Sequence, residues 1–163
     1  MTYKKPESEC CPKFDPTGWE NKTHKWDNKL FIKDTIHQFM HMPWPPTVGK
    51  VMTRMWDLAE KADAAPDLKD FIVLAYDPSP WKSEFYMAVT KEVPETENVK
   101  ISGTFITKVF DGPYQNVPKW MQQTDKYLEE HDKKALKYYF NYTTCPKCAK
   151  KYGHNYVVVF AQV

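Results

Sequence analysis

Two stretches of the chain, about seventy residues apart, carry the same order of predicted elements, and this internal echo limits the fold more than any single motif. The first predicts a strand over residues 29–40, a helix over 47–62, and strands over 71–77 and 84–93. The second predicts a strand over 99–110, a helix over 116–131, and strands over 136–143 and 155–163. At 163 residues the chain has the length of one domain with a sizeable core. The expected architecture is therefore a single α+β domain. Residues 1–28 form an irregular arm, 29–93 and 99–163 the two repeats, and the strands a mostly antiparallel sheet with both helices on one face. Joined halves of this kind leave a groove along their seam, a natural ligand site.

Local patterns support the elements. Val48, Val51, Met52, Met55 and Leu58 or Ala59 fall on one helical stripe behind a candidate cap at Thr47, while Lys50, Arg54, Asp57 and Lys61 face away. In the second helix Asn116 is the candidate cap, Pro118 sits in the first turn where its missing N–H costs little, and Val117, Trp120, Met121, Tyr127 and Leu128 share a face. From residue 84 to 92, Phe85, Met87 and Val89 alternate with Glu84, Tyr86, Ala88, Thr90 and Glu92, so the second set shares one side of a strand. Residues 156–163 are apolar on both sides, which predicts an interior strand.

Charge and composition narrow the function. The 23 basic and 21 acidic residues are interspersed and leave a net charge of +2, with no basic footprint for nucleic acid. Lys4 and Lys5 are followed by Pro6, Glu7 and Glu9 rather than an apolar run, so no signal peptide is expected. Nor does any eighteen-residue apolar run predict a membrane span. The expected setting is the cytoplasm, with reduced thiols, and the expected assembly a monomer or homodimer. Nine Phe, ten Tyr and six Trp make 15% of the chain aromatic; core filling accounts for most of them, but the polar tips of Tyr and Trp need partners and suit ligand-facing surfaces.

The run from Ile101 through Gly103 and Phe105 to Asp111-Gly112-Pro113-Tyr114, feeding a helix that carries Trp120 near its start, resembles the GyrI-like (gyrase-inhibitor-like) small-molecule-binding family. Phe71-Ile72-Val73-Leu74-Ala75-Tyr76-Asp77 followed by Glu84-Phe85-Tyr86-Met87-Ala88-Val89 is similar to that family's middle strand pair. The resemblance covers about residues 29–142 and implies a cytoplasmic protein that takes an apolar or aromatic organic molecule between its repeats. Members that sense cationic drugs use a carboxylate from a strand of the second repeat; the matching stretch from Lys137 to Tyr142 has no acidic residue. The insertion from Thr144 to Gly153 resembles a branch described as hydrolases, which gives the alternative function: hydrolysis of reactive aromatic small molecules.

For that alternative Glu84 is the candidate catalytic base, on the expectation that desolvation in the groove raises its pKa. The candidate ligand-binding set is Phe39, His41, Tyr86, Phe105, Tyr114, Trp120, Tyr138 and Tyr142, an aromatic box with His37 and His41 directed to one side of the first strand. Cys145-Pro-Lys-Cys148 has the two-residue gap of a zinc knuckle. With Cys11, and Cys10 or His154 as a fourth ligand, it would make a structural zinc site pinning the arm to the last hairpin. A redox pair and plain reduced thiols are the rival readings, and no cofactor is required for the small-molecule function.

Overall fold

Alternation and helical stripe have direct structural counterparts in the computed structural model, which describes residues 14–40, 42–43, 45–67, 70–143, 150 and 152–163. The elements are β1 (Lys22–Phe39), β2 (Met42–Pro43), α1 (Pro45–Lys61), β3 (Val73–Ser79), β4 (Lys82–Ala88), β5 (Glu97–Asp111), α2 (Val117–Glu129), β6 (Lys137–Tyr142) and β7 (Tyr156–Gln162). The class is α+β, with two α-helices among the described residues and antiparallel strand pairs. The chain divides into two compact units. Unit 1 holds Asp27–Ser102, and unit 2 holds Gly103–Val163 together with the described residues 14–26.

In unit 1, β4 is flanked by β1 and β3. Lys33 stands opposite Tyr86, Thr35 opposite Glu84, Leu74 opposite Tyr86 and Tyr76 opposite Glu84. Cross-strand partners share a face, so two sides follow from the register. Ile32, Ile36, Val73, Ala75, Phe85 and Met87 form one side, and α1 lays Val51, Met55 and Ala59 upon it. Each fully buried side chain of that size contributes about 1.5–3 kcal/mol, more than any helix propensity in α1 supplies. Arg54 of α1 also donates through Nε to Asp34 of β1 at 3.0 Å, on the same side. The other side carries Phe31, Lys33, Leu74, Glu84, Tyr86 and Ala88.

Unit 2 places β7 between β5 and β6, as its unbroken apolar sequence predicts; Val157 to Ala161 have no exposed surface. Trp120 of α2 packs with Phe140, Val157 and Val159, and Leu128 with Ile106 and Ala161. Phe110 stacks on Trp120 with centroids 5.4 Å apart. Gly112, between β5 and α2, has φ +149°, and a Cβ there would stand 3.4 Å from both the Trp120 ring and the Asn116 amide. The Gly-Pro-Tyr turn thus needs its glycine both for backbone conformation and for close packing. Asn116 holds the N-cap position but makes no side-chain cap bond.

Several boundaries differ from expectation. β1 starts at Lys22, so residues 22–28 are strand rather than irregular arm. His24 and Trp26 are half-buried while Thr23, Lys25 and Asp27 are exposed, an alternation masked in the sequence by the polarity of histidine and lysine. α1 begins at Pro45, ahead of Thr47. β4 ends at Ala88, which leaves Glu92 beyond the strand and exposed rather than beside Tyr86. Among the described residues no helix is long and apolar enough to cross a membrane.

Replacing Gly112 by alanine is expected to lower unfolding stability by about 1–3 kcal/mol. A urea titration that shows no change in midpoint would contradict the role given to this turn.

Candidate functional site

The side of the unit 1 sheet turned away from α1 gathers charge where a sheet face usually gathers hydrocarbon. Glu84 is 9% exposed and Tyr86 6%, and their neighbours Phe31 and Leu74 have no exposed surface. Into this setting β1 delivers Lys33. Its Nζ donates to Glu84 Oε1 at 2.9 Å and lies 3.8 Å from Glu97 Oε2. Tyr86 donates its hydroxyl to Glu84 Oε2 at 3.1 Å, and Lys33 Nζ sits 5.9 Å from the centre of the Tyr86 ring. Both oxygens of the buried carboxylate are thereby satisfied, one by an ammonium and one by a phenol.

These partners decide the charge states. Burial alone would raise the Glu84 pKa, as the sequence suggests, but the hydrogen bonds from Lys33 and Tyr86 and the positive charges of Lys33 and Lys82 outweigh it. The net direction is below the ordinary 4.5, which corrects the expectation of a raised value. Lys33 moves above its ordinary 10.5, chiefly through its hydrogen bond to Glu84. At neutral pH the cluster is an ionised pair. It can hold a polar group by hydrogen bonding, and Glu84 is in the deprotonated form that proton abstraction requires.

The other predicted residues are distributed as follows. In unit 1, Phe39 is 70% exposed and packs its ring against Trp81 at 5.6 Å. His37 is exposed, and His41 lies outside the described residues. In unit 2, Phe105 is on the sheet face opposite α2, whereas Trp120 and Tyr138 are on the helix side, so these three do not line one wall. Tyr138 donates its hydroxyl to Asp125; burial first, and then that carboxylate, push its pKa up. Tyr142 is half-exposed and stacks beside Phe140, and Tyr114 lies in the short 3-10 turn Tyr114–Asn116 that precedes α2. Cys10, Cys11, Cys145 and Cys148 lie outside the described residues. Among the described residues no group of three or more His, Cys, Asp and Glu side chains is placed to hold a metal, and His154 is hydrogen-bonded through Nδ1 to Asp111 at 2.7 Å.

The Phe105 side of unit 2 is packed by the chain's own residues 19–26. Trp26 lies 4.6 Å from Phe105 and 5.7 Å from Phe160, and Trp19 lies 5.7 Å from Phe160 and stacks on His24 at 4.9 Å. Buried Thr107 donates to the Trp19 carbonyl at 2.6 Å, leaving its oxygen to accept from His24 Nε2 at 3.1 Å. Burial pushes the His24 pKa down, in keeping with a neutral ring there. Outside this packing a shallow hollow of about 310 Å³ lies between residues 16–20, the end of β5 and Tyr156. The carboxylates on its wall are already engaged. Glu20 accepts from the Val109 N–H at 2.8 Å, and Asp111 from the Asn155 N–H at 2.8 Å and from His154.

Lys33 and Glu97 are the site residues that sequence reasoning missed. Only the register of β1 on β4 shows that Lys33 faces Tyr86, and nothing in the spacing of the chain reports that register.

A family model described as bacterial hydrolase matches residues 1–163. No curated protein matches the sequence. Among solved structures, the C-terminal domain of EcmrR aligns over 88% of this chain and 96% of its own, with a TM-score of 0.67 and 11% identity. A hydrolase encoded by lin2189 of Listeria innocua aligns over 88% and 91%, with a TM-score of 0.58 and 7% identity. SAV2435 bound to tetraphenylphosphonium aligns over 88% and 93%, with a TM-score of 0.52 and 12% identity. At these identities the likeness is one of fold, and together with the family match it fits the GyrI-like fold family.

Linkage gives the pair a defined pH window. The depressed Glu84 contributes stability present above 4.5 and lost as pH falls through its folded value; the raised Lys33 contributes stability present below 10.5 and lost as pH rises through its folded value. Glu84→Gln is therefore expected to flatten the loss of stability below pH 4.5 relative to the wild type, once each curve is referred to its own value at pH 7. Denaturation midpoints measured from pH 2 to 7 that fall in parallel for the two proteins would contradict the pairing.

Proposed function

The chain belongs to the bacterial hydrolase family, and on that premise we propose that it binds a small organic molecule on the face of unit 1 that carries Lys33, Glu84 and Tyr86. The observation that carries this reading is the buried, hydrogen-bonded ion pair set among Phe31, Leu74 and Ala88. Desolvating two charges is costly, and a fold that needed only stability would fill the same volume with hydrocarbon at less cost. An apolar surface with a few convergent polar groups is the usual composition of a small-molecule site. The ligand that suits it has an aromatic or apolar body and a polar group that hydrogen-bonds to the cluster. One protein of this fold holds tetraphenylphosphonium, an aromatic cation, which supports the aromatic body of such a ligand and not its polar group. Binding here asks nothing of the cysteines; zinc at Cys11, Cys145 and Cys148 would serve as a structural clamp, as their spacing suggests.

Hydrolysis is the second reading, supported by the family and by a hydrolase among the proteins of this fold. Glu84 accepts a proton from water as the water oxygen bonds to carbon of a strained ring. The ring C–O bond breaks, and Lys33 or Tyr86 protonates the departing oxygen. The proton held by Glu84 then returns to that donor, so the net change is addition of water. The low pKa of Glu84 keeps it deprotonated at neutral pH, at the expense of base strength.

Calorimetric titration with 1-phenylethanol, a neutral aromatic alcohol, should give saturable heat. Tyr86→Phe should weaken it about fivefold, the worth of roughly 1 kcal/mol of hydrogen bonding. The absence of saturable binding would overturn the first reading. For the second, the protein should convert styrene oxide to its diol. Glu84→Gln should lower kcat by about 100-fold or more with 1-phenylethanol binding retained, and normal turnover by that variant would remove Glu84 from the mechanism.

A further inference from the structure

We propose that Lys33 is a built-in cation that sets the charge of the ligand accepted by this face of unit 1, admitting neutral aromatic molecules and turning away organic cations. The inference rests on the reading of that face as the ligand site and adds the ligand class. A free organic cation would seek a carboxylate and an aromatic ring, and the Lys33 ammonium already uses both: Glu84 Oε1 at 2.9 Å, Glu97 Oε2 at 3.8 Å and the Tyr86 ring at 5.9 Å. Because Lys33 is fixed in β1 opposite Tyr86, its ammonium is present at a high effective concentration that a dissolved cation must outcompete. Lys82 adds a further positive charge acting on Glu84. Anions fare no better, since the same ammonium is shared by two carboxylates. The uncharged groups on this face are the buried side chains of Phe31, Leu74 and Ala88, next to the Tyr86 hydroxyl that donates to Glu84. Removing Lys33 would leave Glu84 as a buried carboxylate without its ammonium, and an organic cation is then the partner that restores the balance.

The test compares benzyltrimethylammonium, whose charge does not titrate, with its neutral isostere neopentylbenzene by calorimetry on the full chain. The wild type should bind the neutral probe at least about tenfold more tightly. Lys33→Met should gain about tenfold or more for the cation, and Lys33→Met with Glu84→Gln should lose that gain. Equal affinity of the wild type for both probes, or a cooperatively folded Lys33→Met protein with no gain for the cation, would overturn the proposal. If Lys33→Met does not fold, Lys33→Gln keeps a donor to Glu84 without the charge and must show the same reversal. Neutral binding without reversal sinks the charge gate alone. Failure of both probes on every variant sinks the gate, and the additional absence of 1-phenylethanol binding sinks the ligand-site reading with it.

Discussion

A carboxylate on a buried sheet face stays ionised only if something nearby replaces the water it has lost, and in this protein that is the Lys33 ammonium. The pairing at 2.9 Å fixes more than one side chain. It holds Glu84 deprotonated, aims the Tyr86 hydroxyl at the second carboxylate oxygen, and occupies the cation position over the Tyr86 ring. Had Glu84 been alone, desolvation would have pushed its pKa up rather than letting it fall below the ordinary value. The chemistry available to this face therefore follows from one contact between β1 and β4.

That contact exists because α1 claims the other side of the same strands. Val51, Met55 and Ala59 recur at helical spacing and bury Ile32, Ile36, Phe85 and Met87, which leaves the alternate residues Lys33, Glu84 and Tyr86 to share the opposite face. The ion pair is thus a by-product of register: slip β1 by one residue, and Lys33 would be driven beneath the helix.

Much of this was legible in the chain. The order of elements, the helical stripes of Val51, Met55 and Trp120, the interior position of β7 and the shared face of Glu84 and Tyr86 all follow from period alone. Pairing is a different matter. Lys33 and Glu84 are fifty-one positions apart, and local pattern reports which face a residue takes but not which strand lies beside it. The same limit applies to Phe105 and Trp120: both are aromatic, which suits one box, yet β5 and α2 put them on opposite sides of one sheet. The direction of the Glu84 pKa also lay beyond reach, since burial was foreseeable and its compensating ammonium was not.

In each unit one side of the sheet is packed by a helix, yet the sides turned away from α1 and from α2 have opposite chemistries. In unit 1 that face keeps a charged cluster among apolar neighbours. In unit 2 it carries Phe105 and Phe160, packed by Trp19, His24 and Trp26 of the same chain and closed by Thr107, whose hydroxyl is satisfied on both sides. A ligand arriving at the latter face would have to displace rings already in van der Waals contact and leave Thr107 without its partners, a buried polar loss of about 1–3 kcal/mol before any binding is gained. The former presents Lys33, which keeps a fifth of its side chain in solvent while paired with Glu84. The aromatic richness of the chain thus marks a face of unit 2 packed by the chain's own rings, and the polar exceptions mark the face of unit 1 on which the proposed ligand site rests.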